Sequence, residues 1–121
     1  MSRREAMADL FARSEPIVVE IYRQVKAAAR ACGPFVEEEK KTSIHFVRHT
    51  AFAGVHAQKS SLLLTIKSSK GVASARIAKQ ERVSANRWHL DLKLHSPAEV
   101  DGELKSWLKA AYALAGPATS K

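Results

Sequence analysis

Asp91, Leu92 and Lys93, with His89 two residues before Asp91, come nearest in this chain to a set of reacting groups. An acid and a lysine separated by one residue form half of a nuclease-type metal site, in which the carboxylate holds a divalent ion and the amine steadies the attacking water. The other half needs a second acid, and in the middle of the chain only Glu81 is on offer. His89 beside Asp91 also has the form of a base and its orienter. The nucleophile is the difficulty, because Ser43, Ser60 and Ser61 lack the flanking glycines of a nucleophile elbow. A divalent-metal enzyme of nuclease or hydrolase type built on Asp91, Lys93 and His89 is therefore kept as an alternative.

Five histidines invite a metal site, and their spacing argues against one. On an extended strand His45 and His49 lie about 13 Å apart at roughly 3.3 Å per residue, too far to share an ion. His89 and His95 straddle a strand in the same way, so a site would need His45, His56 and His89 to converge from separate strands. Glu37, Glu38 and Glu39 are adjacent and cannot all face one point, which reads as exposed charge. Lys70 and Gly71 form a turn, with no glycine-rich phosphate loop around them. Cys32 falls on an apolar helical stripe without a neighbouring histidine and reads as a small core residue. No cofactor and no metal are expected.

Charge is the stronger signal. Residues 40–95 hold eleven Lys and Arg against Glu81 and Asp91 alone, whereas the segments before and after are close to balanced. The net charge of +8 thus arises in the middle, and such a field gathers anionic partners. The competing account is a solvated, solubilising face. Cys32 is the only cysteine, so no intramolecular disulfide can form and a reducing compartment fits. No apolar run approaches the ~20 residues of a membrane span, and a cytoplasmic location without membrane attachment is expected.

These residues must be positioned by a small set of elements. Residues 1–13 read as an N-terminal arm or short helix, with Ala6, Met7, Leu10 and Phe11 at helical spacing. Ser14, Glu15 and Pro16 signal a helix start, Val18, Ile21, Tyr22, Val25, Ala28, Ala29 and Cys32 form its buried stripe, and Gly33-Pro34 stops it. Phe35 to Lys41 reads as a connector. Strands follow over Ser43 to Arg48, Phe52 to Ala57 and Leu62 to Lys67, with a weak one between Ala73 and Val83. Gly54 marks a bulge or a close backbone approach, and period alone leaves open whether Phe52 or Val55 points inward and which side His56 takes. The clearest alternation sets Trp88, Leu90, Leu92 and Leu94 against Arg87, His89, Asp91, Lys93 and His95, one face for a core and one for water or a ligand. Phe46 and Trp88 fall on apolar faces and read as core residues rather than stacking platforms. Ser96-Pro97-Ala98-Glu99 is a capping box that opens a C-terminal helix.

The fold class expected is α+β: an antiparallel sheet of about five strands with N-terminal helices and a C-terminal helix packed on one face. The domain is expected over 14–116, with 117–121 as a disordered tail.

Ile44-His45-Phe46, Phe52-Ala53-Gly54-Val55, Gln58-Lys59, the strand from Leu62 to Ile66, Asn86-Arg87-Trp88-His89 and Trp107 to Tyr112 together resemble the bacterial domain-of-unknown-function family five-six-five-five. The element order is more distantly similar to small double-wing and frataxin-like α+β proteins, although the first long helix has no acidic ridge for iron. The family resemblance implies no settled activity. It draws attention to Lys59, Arg87 and His89, which would line one anion pocket if their strands were neighbours. Adding Lys93 and Arg48 completes the anion-binding candidates. The leading expectation is a non-enzymatic binding module engaging nucleic acid or a phosphate-bearing ligand on its exposed sheet face. A protein-interaction or dimerisation domain, working as a homo-oligomer, is the further alternative.

Overall fold

The computed structural model describes residues 11–116; most of the arm expected over 1–13 and the tail expected over 117–121 lie outside them. Phe11 and Ala12 stand in a turn, closed by the Ser14 amide donating to the Phe11 carbonyl at 3.0 Å. Helix α1 (Pro16–Cys32) buries the expected stripe of Val18, Ile21, Tyr22, Val25, Ala28 and Ala29. Its start differs from expectation. Glu15 takes the cap position without a side-chain bond, and Ser14 instead donates its hydroxyl to the Gln58 carbonyl at 2.7 Å. The Glu15 amide donates to the Lys59 carbonyl, also at 2.7 Å. Turn carbonyls under a helix need donors, and the helix entry supplies two.

Gly33 ends α1 at a φ of 148°, a region side-chain-bearing residues avoid, and any Cβ there would collide with the Tyr112 hydroxyl. That hydroxyl donates to the Pro34 carbonyl at 2.7 Å, tying the exit of α1 to a residue 78 positions further along the chain.

Among the described residues, six strands form one antiparallel sheet: β1 (Val36–Glu39), β2 (Ile44–Val47), β3 (Ala51–Ala57), β4 (Leu62–Ser68), β5 (Lys79–Ser84) and β6 (Arg87–Leu94). Their order across the sheet is β1-β2-β3-β4-β6-β5. The strand beyond the expected five is β1, in the stretch read as a connector. Its three glutamates do not share one fate. Glu37 turns under α1 and is buried, accepting from the Tyr22 hydroxyl and from Lys26 at 2.9 Å and Arg30 at 3.3 Å, while Glu38 stays exposed and pairs with Lys40. Cations from a helix therefore allow an acidic segment to pair as a strand. The weak strand expected from Ala73 begins only at Lys79, and all six of its residues are exposed.

One sheet face forms the core. Ile44, Phe46, Val55, Leu62, Leu64, Ile66, Leu90, Leu92 and Leu94 are each 2 % exposed or less, every one contributing about 1.5–3 kcal/mol by burial. Helix α2 (Gly102–Leu114) lies over β3 and β4, with α1 beside it. The capping box at Ser96 opens only a short 3-10 turn over Pro97–Glu99, and Asp101 starts α2 itself by accepting from the Leu104 amide at 3.1 Å. Val72, Ile77, Trp88 and Trp107 pack at the margin of this core.

β3 carries a bulge. Phe46 pairs with Ala53 but Val47 with Ala51, so Phe52 is the additional residue. It turns inward with Val55 and sits edge-on to Phe35 at 5.5 Å and Tyr112 at 5.3 Å. Gly54 is thus not the bulge. It is the close approach, with the His45 ring lying over it.

Candidate functional site: a basic open sheet face

Several cations on the helix side of the sheet are tied into the structure. On the helix side Lys26 and Arg30 bind Glu37, and Arg76 binds Asp101 at 2.9 Å, Glu103 at 3.0 Å and the Glu99 carbonyl at 2.7 Å. Arg48 belongs to this group. It donates to the Tyr112 carbonyl at 3.0 Å and stacks on that ring at 4.2 Å, where a cation complements the C-terminal end of α2. Arg48 is therefore turned away from the open face and held by the helix.

Register places the remaining cations together. Lys67 of β4 stands opposite His89 of β6, Asp91 opposite Thr65 and Lys79, and Lys93 opposite Leu63. Strand alternation adds Arg87 to the same side. Among the described residues, Lys67, Lys79, Arg87 and Lys93 form no ion pair with a carboxylate. Burial pushes the Lys67 ammonium below its ordinary range, and the neighbouring Arg87 charge adds to the effect. Asp91 accepts from the Thr65 hydroxyl at 2.7 Å.

At the centre of this face is a cavity of about 300 Å³. Its floor is shallow-sided because Ala51, Gly54 and Thr65 occupy adjacent strands with little bulk. His45, His56, Leu63, Lys67 and His89 stand around it, and no carboxylate lines it. His56, whose side period could not decide, is on this open face opposite Leu63. The three histidines reach one cavity from different strands, yet among the described residues no three His, Cys, Asp or Glu side chains are grouped to hold an ion. A second cleft, of about 610 Å³, adjoins at the sheet end and is lined by Arg13, Ser14, Lys41, Thr42, Gln58 and Lys59; His56 lines both.

Arg87, His89 and Lys93 are thus brought to one face, but Lys59 is not beside them. Leu62 pairs with Leu94, and Arg87 lies 94 − 87 = 7 positions further along, or about 23 Å at 3.3 Å per residue. Lys59 joins Arg13 and Lys41 instead. Sequence reasoning did not single out Lys67 as ligand-facing, although it falls on the polar phase of its strand, and it weighed His45 only as a metal ligand. For Arg13 no sequence signal existed, because its position follows from the Ser14 and Glu15 bonds to the β3–β4 turn.

Among the described residues, fold and site together define an α+β domain with two helices on one face of an antiparallel sheet and a group of cations on the opposite face. The chain belongs to the family described as "Domain of unknown function (DUF5655)", which matches residues 7–115. No curated protein and no solved structure matches it. Among the described residues no helix is long and apolar enough to cross a membrane.

Proposed function

We propose that this protein is a non-enzymatic binding module that receives an anionic partner, nucleic acid or a phosphate-bearing ligand, on its open sheet face. One observation carries this: Lys67, Lys79, Arg87 and Lys93 share that face without carboxylate partners among the described residues, while the helix-side cations Lys26, Arg30, Arg48 and Arg76 are engaged. Lys67 also bears a desolvation cost that a bound anion would offset.

The test is retention on heparin and binding of a labelled single-stranded oligonucleotide across a salt series. Changing Lys67, Lys79, Arg87 and Lys93 together to Gln removes four phosphate contacts. The slope of log affinity against log salt should then flatten by about 3, from roughly 0.7 per contact on a single strand. An unchanged slope and unchanged elution would refute the proposal.

A further inference from the structure

The cavity over Gly54 and the cleft beside it share His56 in their linings. The first is ringed by imidazoles and floored by small or apolar residues: Ala51, Gly54 and Leu63 with the Thr65 hydroxyl. A volume of about 300 Å³ sits at the lower end for small-molecule pockets. Flat imidazole faces suit a planar ring, as histidine does when it stacks on an unpaired base. The adjoining cleft has the opposite character, with Arg13, Lys41 and Lys59 beside the hydroxyls of Ser14 and Thr42 and no lining carboxylate. Such a set of donors suits phosphate oxygens. His56 stands at the junction, so a ligand can lie across both without leaving the protein surface.

Building on the anion-binding reading, we infer that this bipartite site takes a nucleoside phosphate, free or within an unpaired strand. The ring occupies the depression over Gly54 and the phosphate the Arg13–Lys41–Lys59 cleft. The glycine has a reason to be there. A strand interior loses stability at glycine, and a side chain at position 54 would fill the depression and press on His45, whose Cδ2 lies 3.3 Å from where the Cβ would stand.

The experiment titrates the full chain with adenosine monophosphate, adenosine, inorganic phosphate and single-stranded oligo(dA), following backbone amide shifts by NMR. Adenosine monophosphate should shift Gly54 and Thr65 together with Lys41 and Lys59; adenosine should shift only the first pair and inorganic phosphate only the second. Gly54→Leu should weaken the mononucleotide about tenfold, towards the affinity of inorganic phosphate. Lys41→Gln with Lys59→Gln should weaken it by a similar factor, from the loss of charge-assisted bonds. Tighter binding of oligo(dA) than of the mononucleotide at the same residues identifies the strand as the source, and equal binding identifies the free nucleotide. The inference is overturned if the mononucleotide binds no better than inorganic phosphate, or shifts a different region of the wild-type chain. In that case retention on heparin that still depends on Lys67, Lys79, Arg87 and Lys93 leaves the broader proposal standing, whereas loss of both removes both.

Discussion

Replacing Glu37 tests how the acidic edge strand is held. Its side chain is 4 % exposed, whereas its partners Lys26 and Arg30 are 37 % and 42 % exposed. In Glu37→Gln the buried Tyr22 hydroxyl keeps an acceptor, but a neutral one, a loss of about 1 kcal/mol. Lys26 and Arg30 lose a countercharge yet reach water, so each loses only ~0.5 kcal/mol. The sum is about 2 kcal/mol, or a fall of about 8 °C in Tm for a chain of this size. Glu37→Ala also strands the Tyr22 hydroxyl and opens a void, for about 3–4 kcal/mol. Acid dependence separates this account from simple packing. Burial raises the Glu37 carboxyl, but the hydrogen bonds from Tyr22 and Lys26 and the charges of Lys26 and Arg30 outweigh it and hold it below the usual carboxylate range. A lowered pKa means stability that is complete above the ordinary carboxylate range and is lost as pH falls through the lowered value. Urea denaturation followed by circular dichroism should therefore show the gap between wild type and Glu37→Gln at neutral pH closing in acid. A gap under 0.5 kcal/mol at neutral pH, or one that persists unchanged at about pH 2, would refute the reasoning.

Two further outcomes follow from single residues. Gly33→Ala forces a side chain onto a φ of 148° and displaces the Tyr112 hydroxyl, which should cost about 2–4 kcal/mol in denaturation, whereas Gly102→Ala, with open space around it, should cost nothing measurable. Lys67→Met should raise Tm by about 2 °C at neutral pH while weakening oligonucleotide binding. The charged amine disfavours the folded state below its lowered pKa, and the penalty is relieved as pH rises through that value, so the Tm gap should narrow in alkali; a Tm that falls contradicts it.

The sequence was most readable where one rule acted alone. β6 shows eight residues of uninterrupted alternation, and its leucines went inward with its charges outward as expected. β1 could not be read from its own residues, because what makes an acidic segment a strand is Lys26 and Arg30 on the preceding helix folding back over it. Ser96 and Asp101 both carry cap chemistry, and local pattern cannot tell which one starts the longer helix. For the site, strand phase held more than was taken from it: Arg48 shares the phase of Ile44 and Phe46 and so belongs with the helices, while Lys67 shares that of Thr65. The separation of Lys59 from Arg87 depended on the pairing of β4 with β6, a tertiary fact.

The additional residue at Phe52 has a consequence for how this family can vary. It shifts the inside-outside parity of β3 midway, so that an aromatic is delivered to the helices while Ala51 and Gly54 remain on the opposite surface. Deleting one residue there would restore even alternation and force a choice between emptying the aromatic cluster and plugging the hollow. Insertions and deletions should therefore be tolerated around the loop before β5 and rejected here, whatever the amino acids involved.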